Sequence, residues 1–236
     1  MSSDGGASVT IRGEELTLLP ELAIFWSAER TLFIADPHWG KAATFRAGGI
    51  PVPSGTTDES IARLDRLLKR TSARQIIFLG DLLHAREGRS QEMFGAVAHW
   101  RESKPDVDLM LVRGNHDRRA GDPPSELRIR CEDAPYAMQP FVLDHHPRQS
   151  ADGYVLAGHV HPGIRIHGAG RQHERLPCFL FGKDVAILPA FGDFTGLVDV
   201  VPVEGDRVYA IADSAVVLIE DRPKAKGQKP KAKDKY

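Results

Sequence analysis

Residues 75–81 read Gln-Ile-Ile-Phe-Leu-Gly-Asp, four apolar side chains in succession and then a glycine and a carboxylate. An apolar run without polar alternation reads as a strand covered on both faces, the habit of parallel sheets. The same arrangement recurs on either side. Upstream, Thr31-Leu-Phe-Ile-Ala35 runs into Asp36-Pro-His38. Downstream, Val107-Asp-Leu-Met-Leu-Val112 runs into Gly114-Asn-His-Asp117. Helical patterns lie between these strands. Ile61, Leu64, Leu67 and Leu68 recur at helical spacing, and Thr56 with Glu59 fits a capping box, so a helix is expected over 57–71. Met93, Phe94, Val97 and Trp100 mark a second over 90–102. A short helix fits 41–47, closed by Gly48-Gly49, and 50–56 is a loop by its Pro and Gly content. Strand, helix, strand, helix, strand is the pattern of a βαβ sheet.

Further out the pattern changes. Before Ser27, Leu16–Leu19 and Leu22–Trp26 read as edge strands or a hairpin around Pro20. After Arg128 helical periodicity is scarce. Arg128–Cys131, Phe141–Leu143, Tyr154–Ala157, Phe179–Phe181, Val185–Leu188, Val198–Val203, Val208–Ile211 and Val216–Ile219 are short strand candidates with turn residues between them.

Composition excludes several classes. The chain has 236 residues, 42% hydrophobic, with a formal net charge of −1, so it is neither wholly disordered nor too short for a core. No run of ~18 uncharged apolar residues predicts a membrane span. The N-terminus lacks the features of a secretory signal, so the cytoplasm is expected. Two cysteines, Cys131 and Cys178, make no disulfide framework and read as reduced core or near-core residues. The near-zero charge hides an asymmetry. Residues 222–236 carry net +6, leaving −7 on the other 221. A body over 1–221 and a disordered basic tail over 222–236 are therefore expected.

Polar clusters stand at the ends of five expected strands: Asp36-Pro-His38, Gly80-Asp81 with His84, Gly114-Asn-His-Asp117, Asp144-His-His146 and Gly158-His-Val-His161. Alone, each has an ordinary reading, such as a turn, a cap or an internal hydrogen bond. Together and in order they predict one site, because open α/β sheets bind ligands outside the carboxyl ends of their strands. Carboxylate, imidazole and amide donors suit first-row divalent metals.

This ordered set resembles the calcineurin-like metallophosphoesterase superfamily, whose pattern is D-x-H, G-D, G-N-H-[DE], H and G-H-x-H, over roughly Leu32 to Pro162. The resemblance implies an α/β fold, a four-layer α/β/β/α sandwich with two central mixed sheets. It implies two divalent ions, most readily Mn²⁺, with Fe²⁺ or Zn²⁺ as alternatives. By position, Asp36, His38 and His161 would hold one ion and Asn115, His145 and His159 the other, with Asp81 bridging. His145 and His146 are adjacent, and only one can face the site from an extended segment. His145 is favoured and His146 stays the alternative. His116 matches a family histidine that is not a ligand and acts as general acid or phosphate contact. Asp117 would orient it or pin the turn. Lys41, Arg46, His84 and Arg113 are candidate phosphate contacts, each with a plain surface or turn reading beside it.

Further segments are similar to the bacterial ligase-associated DNA damage response endonucleases. They are Asp36–Lys41, Ala43–Ala47, Gly49–Pro53, Gly158–Pro162, Leu188–Gly192 and Phe194–Gly196. That likeness implies a phosphodiesterase acting on single-stranded or flexible DNA or RNA in repair, in functional association with an ATP-dependent DNA ligase and a helicase. Two alternatives remain at this point: a small-molecule phosphoesterase (nucleotide, lipid-linked or phosphoprotein substrate), and a non-catalytic partner-binding module.

Overall fold

The computed structural model describes residues 5–52, 55–167 and 173–219. The basic tail expected over 222–236 lies outside the described residues. Among those described, one sheet holds β1 (Ala7–Ile11), β2 (Glu14–Leu19), β3 (Ala23–Trp26), β4 (Thr31–Ile34), β5 (Gln75–Phe78), β6 (Asp108–Val112) and β7 (Ile129–Glu132), hydrogen-bonded in that order. β1 to β4 are antiparallel, with Pro20 in the β2–β3 turn. β4 to β7 are parallel. The connections carry α1 (Lys41–Ala47), α2 (Thr56–Thr71), α3 (Gln91–Glu102) and α4 (Asn115–Ala120).

The second sheet is built from β8 (Tyr136–Met138), β9 (Phe141–Leu143), β10 (Tyr154–Ala157), β11 (Pro162–His167), β12 (His173–Phe181), β13 (Val185–Ile187) and β14 (Val198–Asp199), with β15 (Arg207–Ala212) and β16 (Ala215–Ile219) alongside β12. Its order is β14-β11-β12-β13-β10-β9-β8. β9, β10 and β13 run parallel, and β14 pairs parallel with β11 at the edge.

The sheets face each other across the main core. Phe33, Ile77 and Met110 from the first meet Phe141, Leu156 and Phe179 from the second, all buried. Trp26 and Phe141 meet edge to face at 5.0 Å, an arrangement contributing about 0.5–1.5 kcal/mol beyond the area it buries. The other face of the first sheet is covered by α2 and α3. Leu64, Leu67, Val97 and Trp100 pack on Leu32, Ile34, Ile76 and Phe78. Trp100 Nε1 donates to Asp65 Oδ1 at 2.9 Å, tying α3 to α2. Cover on both faces is why β4, β5 and β6 are apolar throughout.

The two mixed sheets and their helical cover are as expected. Among the described residues the α-helices lie within 41–120, and Val142, Val155 and Ala157 of the second sheet form a small cluster of their own. The capping box is a correction. α2 begins at Thr56, so Thr56 is inside the helix, and Gly55 at φ 90° takes the cap position with no side-chain cap. Ser90 does cap α3, accepting the Met93 amide at 3.2 Å. The strand expected over Val198–Val203 is only Val198–Asp199, while β8, β11 and the first half of β12 were not expected. Both cysteines are free, with Cys178 buried and Cys131 partly so. No helix among the described residues is long and apolar enough to cross a membrane.

Candidate metal centre

The site forms where the carboxyl ends of β4, β5 and β6 meet those of β9 and β10. Backbone bonds lace these ends together: Asp36 N–H to Gly80 O at 3.2 Å, His38 N–H to Asp81 O at 3.0 Å, and Gly158 N–H to His145 O at 3.1 Å. Five side chains there stand on left-handed backbone: Asp36 (φ 53°), His38 (49°), Asp81 (51°), His159 (70°) and His161 (53°). Non-glycine residues rarely adopt this region, and such strain collects where the fold over-determines a functional geometry. Close approach also dictates two glycines. A β-carbon on Gly114 would collide with Asp81 Oδ1, and one on Gly158 would lie 2.5 Å from Asp36 Oδ2.

Each carboxylate turns one oxygen to backbone and the other to the cluster. Asp36 Oδ2 accepts the His159 amide at 2.8 Å. Asp81 Oδ1 accepts the His116 amide at 2.9 Å. On one side, Asp36 Oδ1 lies 3.6 Å from His161 Nε2, and His161 Nε2 lies 3.4 Å from His38 Nε2. On the other, His145 Nε2 has His159 Nδ1 at 3.0 Å, Asn115 Oδ1 at 3.1 Å and Asp81 Oδ2 at 3.3 Å. Asp36, His38 and His161 form one group able to hold an ion, and Asp36, Asp81 and His145 another. Asp36 Oδ1 is buried without a hydrogen-bond partner. An orphaned carboxylate oxygen facing imidazole lone pairs is what a bound cation would compensate. The oxygen and imidazole donors present therefore fit a divalent first-row ion.

The electrostatics agree. Burial drives His38 down to about 2, aided by the charges of Lys41, His161 and His84 and opposed by Asp81, so its imidazole is neutral. Burial pushes Asp81 up, but hydrogen bonding and charge from His145, with the His116 amide, outweigh it and hold the carboxyl at about 2. Burial alone would lower His145, yet Asp81 and Asp36 raise it to about 9. Two carboxylates thus make this pocket attractive to positive charge.

The two neighbours differ in placement, though His145, His146 and His159 together also form a group that could hold an ion. His145 is buried and turns Nε2 into the cluster, whereas His146 is half-buried and packs on the His159 ring at 4.4 Å. His116 stacks on His84 at 5.0 Å and its Nδ1 donates to the His84 carbonyl at 2.6 Å. Asp117 does not touch the His116 ring. Its oxygens accept the Leu83 amide at 3.0 Å and the Gly114 amide at 2.9 Å, so it pins two loops. Its catalytic reading is corrected accordingly. Burial raises its pKa to about 6 against those two bonds. Gly114-Asn-His-Asp is the entry to α4, with Asn115 its first residue.

His84 belongs to the site, its Nδ1 3.4 Å from His38 Nδ1. Lys41 shares a cleft with His38, Trp39 and Phe194. Arg46 is exposed on α1 beyond it. Arg113 is otherwise engaged: its guanidinium holds Asp122 through two 2.7 Å bonds and reaches Asp133 at 3.4 Å. It straps the end of β6 to the loop after α4, which argues against a phosphate role. Trp39 is buried. Arg63 was missed by sequence reasoning, because it reads as helix surface charge. Its guanidinium lies 4.9 Å over the Phe191 ring and donates to Phe191 O at 2.5 Å and Asp193 Oδ1 at 3.0 Å. That loop in turn bonds the first ligand strand, Phe191 N–H to Ala35 O and Gly192 N–H to Asp36 O.

The family model described as calcineurin-like phosphoesterase matches residues 29–169, more than half of the chain and every side chain of the cluster. The chain belongs to the calcineurin-like phosphoesterase family. It is a metal-dependent hydrolase on that ground, and its clustered Asp and His residues are able to hold metal. The crystal structure of the Pseudomonas putida nuclease MPE is 42% identical and superposes with a TM-score of 0.81, covering 91% of this phosphoesterase and 100% of that chain. A second solved structure, of Yfce, a phosphoesterase from E. coli, aligns at 14% identity with a TM-score of 0.37, covering 80% of this chain and 97% of that one. No curated protein matches.

Proposed function

We propose that this phosphoesterase cleaves phosphodiester bonds in nucleic acid with two divalent ions, manganese foremost. Asp36, His38 and His161 hold one ion, Asn115, His145 and His159 the other, and Asp81 lies between them. The observation that carries the reading is the meeting of Asp81 Oδ2, Asn115 Oδ1 and His159 Nδ1 within 3.3 Å of His145 Nε2, beside a buried and unpartnered Asp36 oxygen. Bound ions would supply charge neutralisation for the phosphate and a lowered pKa for water. The chain does the rest. The strained turns fix ligand directions before substrate arrives. The His84 carbonyl holds His116 Nδ1, which leaves Nε2 on the Asp81 side, 3.8 Å from Oδ2. From there an imidazolium gives its Nε2 proton to the departing alkoxide. Lys41, beside His38, contacts the phosphate charge.

Nucleic acid as substrate is supported by the likeness to a nuclease over nine-tenths of the chain. The repair setting, and an association with a DNA ligase and a helicase, rest on the segment resemblances alone. Manganese-dependent cleavage of a chromogenic diester, a chromogenic monoester, single-stranded DNA and duplex DNA tests the reading. Hydrolysis of the diester and the single strand is expected. Activity confined to the monoester overturns it in favour of a small-molecule phosphoesterase.

A further inference from the structure

Phe194 is an aromatic ring placed against the energetic grain of the chain. It is 51% exposed, half of its apolar surface left in solvent. Its backbone is left-handed, at φ 57°, an outlier for a bulky side chain. Three contacts hold the turn that carries it. Gly192 N–H bonds Asp36 O at 3.1 Å, Thr195 Oγ1 donates to Gly192 O at 3.0 Å, and Arg63 grips Asp193 at 3.0 Å. The exposed ring is thus tied through two residues to the first candidate ligand, and it lines one cleft with His38 and Lys41. On the other flank of Lys41, its Nζ lies 5.8 Å over the Phe45 ring. An exposed aromatic face on a tethered turn, beside a cation and a candidate metal centre, is the equipment of single-strand recognition, since every base offers a π-face.

We infer that Phe194 is a base-stacking platform: it takes the nucleobase beside the scissile phosphate, with Lys41 on the backbone charge. This rests on the reading of nucleic acid as substrate. Stacking explains why an exposed ring is held in a strained turn, because a mobile ring would lose the orientation that recognition needs. The subsite is sequence-tolerant and takes a single-stranded chain, since bases paired in a duplex already stack on one another.

The test is the ratio of kcat/KM on an oligonucleotide to that on a small chromogenic diester, for wild type, Phe194→Ala and Phe194→Trp. The ratio falls about 5- to 100-fold in Phe194→Ala and recovers in Phe194→Trp. A scan with one abasic sugar at each position near the cut supplies the second axis. Wild type shows a position-specific loss, and Phe194→Ala no longer does, because ring and base are one interaction. An unchanged ratio, equal losses on both substrates, or an abasic loss that persists in Phe194→Ala overturns the platform. If wild type hydrolyses the diester but no oligonucleotide, the nucleic-acid reading falls first and the platform with it.

Discussion

The two sheets build one site by different means. The first supplies Asp36, Asp81 and Asn115 from the ends of consecutive parallel strands, each sealed beneath helices. The second is largely antiparallel and bears no helix among the described residues, yet its β9–β10–β13 patch is parallel and supplies His145, His159 and His161. The chemistry thus follows strand direction and not helical cover. Parallel strands end together on one side of a sheet, and their following loops share that edge. The antiparallel strands return the chain, and their part is to close the core.

Asp81 lies where the halves join, so its replacement tests the comparison most severely. Asp81→Asn should abolish metal-dependent hydrolysis and lower bound metal, measured by turnover and by metal analysis of the purified protein. The fold should survive, because Oδ1 can still accept the His116 amide. Near wild-type turnover would show that the halves act independently. His116→Ala comes next. It removes a group that belongs to the first half alone, so metal content should hold while rate falls about 10²–10⁴-fold on substrates with poor leaving groups. Equal losses on good and poor leaving groups would leave His116 as a phosphate contact only.

The same contrast explains what was legible. β4, β5 and β6 announce themselves because both faces are covered, so apolar runs end within three residues of Asp36, Asp81 and Asn115. The layering of the sandwich came from the family resemblance, since residues 128–219 carry little helical periodicity of their own. β11 was missed because Ile164 and Ile166 alternate with Arg165 and His167 on a hairpin arm, half polar throughout. For Gly114-Asn115 a turn was one of the ordinary readings. What makes it a helix entry is Asp117, three residues on, accepting the Gly114 amide. Asp117 and Arg113 were drawn toward chemistry by neighbourhood in sequence, but their partners come from distant backbone or a surface carboxylate. How deeply His145 and His146 are buried depends on backbone direction, beyond the reach of residue type.

Gly114→Ala sits between the extremes. The added methyl meets Asp81 Oδ1 and lies 2.6 Å from the Asp81 amide nitrogen, so the Asp81 carboxylate must shift. A displaced support of this kind typically costs about 10–100-fold in metal affinity or activity. Titration of metal dependence should show a raised requirement with partial recovery at high manganese. No change in that requirement would mean that Asp81 tolerates movement and that the close approach is incidental.

The smallest effect should come from Arg113, and it separates position from role. Arg113 precedes the Gly114 motif, so a phosphate contact predicts a marked rise in KM on its removal. The strap to Asp122 and Asp133 predicts otherwise. Its partners are substantially exposed, so Arg113→Ala should cost no more than about 1 kcal/mol of stability, with KM for a small diester nearly unchanged. The pH dependence carries a sign. Hydrogen bonding to Arg113, opposed by slight burial, holds the Asp122 carboxyl below its ordinary 3.8. A depressed carboxyl stabilises the fold above its ordinary value and loses that contribution as pH falls through the folded one. Denaturant melts of wild type and variant should therefore differ at neutral pH and converge in acid, with the gap narrowing further in high salt. A stability gap that persists in acid, or a severalfold rise in KM, would move Arg113 from the rim of the first half back into its site.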